Sequence, residues 1–180
     1  MVNRPNAAAR HWIREATEED LPVLVEFLAK LALHVAGAPP QSLEEGERQR
    51  LLEVLHTSLT DLNKQLLVAE VPDVGLVGMG YIYIMQDQGI WEQTRHVEYR
   101  SGIIDDVWVE PEYRKRGVFP DLLRRLVAFA ESRGAYELVL EYSASNKEAK
   151  AVWTRLGFKT IGVRAAAFTS SVQKALADRP

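Results

Sequence analysis

Asp105-Asp106-Val107-Trp108-Val109-Glu110-Pro111-Glu112-Tyr113-Arg114-Lys115-Arg116-Gly117-Val118-Phe119 decides how this chain is read. A strand-like segment runs into a short basic turn with one glycine, and an amphipathic helix follows at once. The first N–H groups of a helix have no carbonyl partner within it, and its dipole favours an anion at that end. Gly117 permits a positive φ or close ligand approach. Arg114, Lys115 and Arg116 add local charge. The segment can hold phosphates on backbone N–H groups, or it can be a solvated basic turn with a structural glycine.

The helix after the turn is predicted over Gly117 to Arg133. Its apolar set is Phe119, Leu122, Leu123, Leu126, Val127 and Ala130; Asp121, Arg124, Arg125 and Glu131 form the polar side. Gly134 ends it. Before the turn a strand is predicted from about Val97 to Val109, and Tyr136 to Tyr142 predicts another with a buried Leu138-Val139-Leu140 centre. The unit from about 103 to 140 is therefore a strand–helix–strand crossover. Upstream, His11 to Arg14 predicts a short first strand. Thr17 with Glu18, Glu19 and Asp20 is a helix-start signal for the apolar series Leu21 to Ala32, although Pro22 moves the start toward Asp20. Residues 43 to 63 predict a second helix. Gln65 to Val71 and Leu76 to Met85 predict strands joined by Pro72-Asp73-Val74-Gly75, and Gly78 and Gly80 mark a bulge or close backbone approach. Asn146 caps a predicted helix over Lys147 to Leu156, ended by Gly157. Phe158 to Ile161 and residues 163 to 169 predict a final pair of strands. The fold class is α/β (α+β): one mixed central sheet with helices on both faces, in a single domain with core about 11–169 and loose terminal tails.

Composition narrows the function. The formal net charge of the 180-residue chain is -3, which argues against a broad nucleic-acid surface. No cysteine is present, so disulfides and thiolate chemistry are excluded. The first residues lack a secretory apolar core and no apolar run reaches membrane-span length; a cytoplasmic protein without nucleic-acid or membrane partners is expected. His11, His34, His56 and His96 have no metal-ligand spacing. No Walker-type loop occurs, and Gly75-Leu76-Val77-Gly78-Met79-Gly80 leads into no helix, which weakens a dinucleotide reading.

Arg114-Lys115-Arg116-Gly117-Val118-Phe119 resembles the acetyl-coenzyme-A turn of the GCN5-related N-acetyltransferase (GNAT) superfamily. Val107 to Tyr113 resembles the strand and approach that accompany it. Asn146, Ala149, Trp153 and Gly157-Phe158 resemble the second family segment. The stronger likeness covers about 103 to 161, and a weaker architectural one about 11 to 169. The resemblance implies an acetyl-CoA-dependent N-acetyltransferase acting by direct amine attack in a ternary complex. It implies cofactor contacts at Val107, Trp108, Val109, Arg114, Lys115, Arg116, Gly117, Val118, Phe119, Asn146 and Trp153. A bulge around Val107-Trp108-Val109 would expose an N–H toward the developing oxyanion.

Two positions depart from the family. Phe119 replaces a small residue at the turn, and Pro120 removes a donor. Trp153 replaces the tyrosine that often protonates the leaving thiolate; indole supplies no proton at ordinary pH, so packing is its expected role. Asp105, Asp106 and Glu110 are the base candidates, with Glu98 and Glu141 further off. Strand alternation places Asp105 and Asp106 on opposite faces, with Asp105 beside Val107 and Val109. Ser143, Ser145, Lys147, Lys150 and Arg124 are secondary cofactor candidates, and His96 a substrate candidate. Acceptor choice is expected at about 32 to 50 and 86 to 100, where Trp91, Tyr99, Asp87, Glu92 and Glu98 suit a small cationic amine. A protein N-terminus or lysine acceptor, a catalytically weak acyl-CoA-binding or regulatory domain, and an interaction domain stay open. A homodimer is compatible with the sequence.

Overall fold

The computed structural model describes residues 10–37, 43–86, 99–162 and 165–177. The chain forms two compact units, residues 1–141 and 142–180.

The first unit holds the sheet. β1 (Trp12–Glu15), β2 (Lys64–Val71), β3 (Gly75–Gln86), β4 (Arg100–Val109) and β5 (Glu137–Leu140) lie in that order. The first four are antiparallel neighbours, and β5 joins β4 in parallel. Helices α1 (Leu21–Ala36), α2 (Glu45–Thr60) and α3 (Val118–Ser132) complete the unit. The start signal at Thr17 makes a 3-10 turn, Glu18–Asp20, before α1, with Pro22 in the first helical turn. Asp20 Oδ2 accepts from the Thr17 N–H at 2.8 Å and from Arg14 Nη1 at 2.6 Å. That lets a carboxylate be buried at the entry to α1.

The two faces of the sheet carry different helices. Leu24, Val25 and Phe27 of α1 pack with Leu66, Val68, Met79 and Trp108. On the opposite face three glycines leave gaps among the side chains beneath α3. A Cβ on Gly78 would meet the Trp108 carbonyl oxygen at 2.9 Å, and one on Gly80 would meet Leu126 at 3.1 Å. A Cβ on Gly102 would meet Ala130 and Leu138 at 3.0 Å. These glycines let α3 lie close to the strands through Val118, Leu122, Leu126 and Ala130, all buried. The expected close approach at Gly78 and Gly80 is thus present. Val118 rather than Phe119 begins the buried stripe, because Phe119 is only half-buried.

In the second unit, α4 (Lys147–Arg155) starts at Asn146, whose Oδ1 accepts from the Ala149 N–H at 2.9 Å. Helix α5 (Thr169–Ala177) stands where no element was read. The expected strands at Phe158 to Ile161 and 165 to 169 do not form. Ile161 and Phe168 are 84% exposed and have no ladder partner among the described residues, so apolar character alone does not make a strand there. The β5 centre, expected buried, is half-buried. The start of the predicted fourth strand (97 and 98), residues 163–164 and the N-terminal tail to residue 9 lie outside the described residues, as do Asp87, Trp91, Glu92, His96 and Glu98.

Candidate active site

β4 carries one residue more than its partner. Tyr81 pairs with Asp106, but the next residue of β3, Ile82, pairs with Ile104, leaving Asp105 unmatched. This is a β-bulge, two residues before the Val107 to Val109 stretch where one was expected. It cancels the alternation that would have parted the two aspartates. Both line one cavity of about 440 Å³ on the α1–α2 face of the sheet. The expectation of opposite faces is therefore overturned. Asp105 does not share a side with Val107 and Val109; Val109 lies beside Gly78 and Val118 on the α3 side.

The strand wall of the cavity consists of Met79, Tyr81 and Tyr83 with the aspartates, and the helix wall includes Leu28, Ala32, Leu51 and Leu55. Burial, then the neighbouring Asp105, pushes the Asp106 carboxyl up to about 6. Burial, then Glu141, raises Asp105 as well. Both shifts have the same origin: a carboxylate leaves water and meets negative charge. Glu110 lies elsewhere, in an ion pair with Lys30 of α1.

Downstream of the bulge, β4 outlasts its neighbour. Its pairing with β5 stops at Ile104–Leu140, whereas β4 continues to Val109. The Glu110 N–H bonds the Val77 carbonyl at 2.9 Å. Antiparallel alternation counted from that bond turns the N–H and C=O groups of Val107 and Val109 away from β3, toward the side β5 has left. Trp108 is the opposite case. Its backbone groups serve the β3 ladder, and its ring is 6% exposed in the core, edge-on to His34 at 5.9 Å. Its Nε1 has no partner among the described residues.

The basic turn follows. Lys115 (φ 61°) and Gly117 (φ 90°) are both left-handed. Such residues in a short turn gather successive N–H groups into an anion-binding concavity. Gly117 is the N-cap of α3; Asp121 N–H already bonds the Gly117 carbonyl at 3.1 Å, and Pro120 has no N–H. Val118 supplies an N–H of the first turn. Two of the three cations are engaged. Arg114 Nε donates to the Val109 carbonyl at 3.1 Å and its guanidinium lies 5.1 Å from the Trp108 ring centre. Arg116 lies 5.4 Å from the Tyr113 ring centre. Lys115 is exposed.

His11, which sequence reasoning passed over, sits beside this turn. Its Cε1 is 3.7 Å from where a Gly117 Cβ would be, and its Nε2 is 2.8 Å from Asp121 Oδ2. Burial raises the Asp121 carboxyl, but hydrogen bonds from His11 and Arg124 outweigh it and hold the group below the usual range. No spacing rule links residues 110 positions apart. In the second unit, the Trp153 ring lies edge-on to Phe158 at 5.3 Å, in keeping with a packing role. Ser143 and Ser145 hydroxyls bond each other at 2.7 Å. Among the described residues no group of three or more His, Asp or Glu could hold a metal ion.

β4 and β5 thus part close to the left-handed turn that leads into α3. The Acetyltransferase (GNAT) family model matches residues 29–158. The chain belongs to this family and is an acyl-CoA-dependent N-acetyltransferase. No curated protein sequence matches it. A predicted acetyltransferase of Clostridium acetobutylicum, solved with acetyl-CoA, is similar over 90% of this chain and 98% of its own, at TM-score 0.72 and 18% identity. A transcriptional regulator of Bacillus halodurans is similar over 88% and 99%, at TM-score 0.70 and 22% identity. Glucosamine-6-phosphate N-acetyltransferase of Arabidopsis thaliana is similar over 89% and 99%, at TM-score 0.65 and 18% identity. These structures share its fold.

Proposed function

We propose that the chain transfers an acetyl group from acetyl-CoA to the primary amine of a small molecule, with both substrates bound at once. The observation that carries this reading is the bulge at Asp105, which sets two proton-raised carboxylates in one cavity beside the strand edge that β5 leaves open. Acetyl-CoA supplies an activated thioester carbonyl. The residues present suit it. The left-handed turn Lys115 to Gly117 and the Val118 N–H at the start of α3 can take a pyrophosphate. The outward groups of Val107 and the Val109 N–H can pair with an amide-bearing arm, the Val109 carbonyl being held by Arg114.

Asp106 is the base in this reading. A carboxyl titrating near 6 is ionised at neutral pH yet basic enough to accept an ammonium proton, directly or through water. Asp105, the more exposed of the pair, lines the same cavity and can hydrogen-bond the amine. The Val107 N–H, one residue from the base and facing away from β3, is the candidate oxyanion donor. Arg114 acts here by holding the Val109 end of the strand. Asn146 and Trp153 remain cofactor candidates on family resemblance; Asn146 Oδ1 is committed to its helix, so its amide nitrogen is the group it can offer. No described helix is long and apolar enough to cross a membrane; a single acetyltransferase domain and a cytoplasmic site belong to the proposal.

Calorimetric titration with acetyl-CoA, followed by an amine screen monitored for free thiol, tests the reading. Binding followed by turnover on small amines supports it. Tight binding without transfer to any amine favours the weak acyl-CoA-binding alternative. No binding by folded protein overturns both. Turnover confined to peptide N-termini or lysines replaces the acceptor class.

A further inference from the structure

With the acetyl-transfer reading as its premise, we infer that the acceptor is an alkyl- or arylalkylamine: one cationic amine on an uncharged, apolar body. The cavity is polarised. Its strand wall carries both carboxylates and two tyrosines, and the helix wall opposite is built of aliphatic side chains from α1 and α2. Ser58, the one hydroxyl on that wall, already donates to the Val54 carbonyl at 2.9 Å. An amine seated against Asp105 and Asp106 therefore sends the rest of its molecule onto Leu28, Leu51 and Leu55. No arginine or lysine lines the cavity among the described residues. Lys30, on the neighbouring helical position to Ala29 of the lining, is paired with Glu110.

The consequences for selectivity follow from charge and hydration. A phosphate or carboxylate on the acceptor would enter a cavity that already holds two carboxylates and, among the described residues, offers no cation, a like-charge contact with full desolvation cost. Sugar hydroxyls would face an aliphatic wall without partners. A methylene, by contrast, gains by leaving water. The volume of about 440 Å³ falls within the usual small-molecule range, so the body has room for a ring or a chain of several carbons. A phosphorylated amino sugar, the acceptor named for one structural neighbour, is a poor match to this wall.

The test is a steady-state comparison of n-alkylamines from propyl to hexyl, of phenethylamine against phenylalanine, and of glucosamine 6-phosphate. The same compounds are titrated calorimetrically without acetyl-CoA, at pH 7.5. KM should fall about fourfold per added methylene until the cavity is filled. Phenethylamine should exceed phenylalanine, which differs by one carboxylate, by roughly 30-fold or more in kcat/KM. Ala32→Leu, at an exposed helical position on the lining, should raise KM for hexylamine more than for propylamine.

A flat chain-length series overturns the inference while leaving acetyl transfer standing, as does equal use of phenylalanine, a preference for glucosamine 6-phosphate, or acetylation confined to a lysine peptide. If acetyl-CoA binds but no amine is acetylated, the transfer reading fails and the titrations decide the cavity alone. Phenethylamine binding at least tenfold tighter than phenylalanine then keeps the assignment; equal binding ends it.

Discussion

Asp106 shows how a backbone irregularity becomes chemistry. Burial and Asp105 lift its carboxyl to about 6, so the folded protein binds its proton more tightly than the unfolded chain does. Native stability therefore falls as pH rises from the ordinary carboxylate range through 6, and the cost persists at neutral pH. Asp106→Asn should raise stability at pH 7.5 by about 1–2 kcal/mol in urea unfolding while lowering kcat roughly 100-fold or more. The wild-type acid limb near pH 6 should vanish from its kcat/KM profile. Arg114 offers the complementary lesson. Its guanidinium stacks on Trp108 and bonds the Val109 carbonyl. Arg114→Ala should cost about 1–2 kcal/mol of stability from lost stacking and packing, and Arg114→Lys should recover little of it, both read by thermal or urea unfolding. The sequence exposes three adjacent cations at this turn; it cannot show that one of them reaches back five residues to a carbonyl. Residue type was legible here, and engagement was not.

At the scale of elements, strands and helices of the first unit lie close to where periodicity puts them, because their apolar faces have partners. The helix expected at Gly117 to Arg133 runs Val118–Ser132. The bulge was read too late along β4, because it belongs to the ladder and not to the strand: only the pairing of Tyr81 and Ile82 reveals Asp105 as the extra residue. Deleting Asp105 should restore regular pairing, leave the far-ultraviolet spectrum of the sheet intact, and cut activity further than Asp105→Asn does, because the following residues lose their register with the cavity. Comparing turnover and circular dichroism of the two variants checks this. The segments after Gly157 show the converse error. Their apolar residues resemble strands, but β-structure requires a neighbour, and neither segment has one among the described residues.

Across the whole molecule, the order of elements through α4 and the mixed sheet were legible, as was the family, because the first recognised segment lies within a crossover that only a few topologies satisfy. The cavity was not, since its walls come from residues 28 to 106 and converge only on folding. Stability is unevenly spread. Leu67, Val68, Met79 and Leu122 are fully buried in the first unit, whereas no described residue from 142 onward is buried. Amide exchange followed by mass spectrometry should find β2, β3 and α3 protected through near-global unfolding, with α4 and α5 exchanging at least about tenfold faster. Acid weakens the first unit at a defined point. Asp20 is held below its usual range chiefly by the Arg14 hydrogen bond, against burial. That stabilising contribution is complete above the ordinary carboxylate range and is lost as pH falls through the depressed value.

If the Gly117 turn holds the cofactor as proposed, the glycines under α3 make the sheet a lever on it. The helix that presents the Gly117 turn rests on Gly80, and a methyl there would press on Leu126 at 3.1 Å. Any lift of the helix travels along its rigid axis to the turn, where phosphate-holding N–H groups tolerate little displacement. Gly80→Ala should then raise KM for acetyl-CoA several-fold while kcat at saturation changes little. Affinity for a soluble ligand would be set, in part, by the absence of one carbon atom on the buried side of a strand.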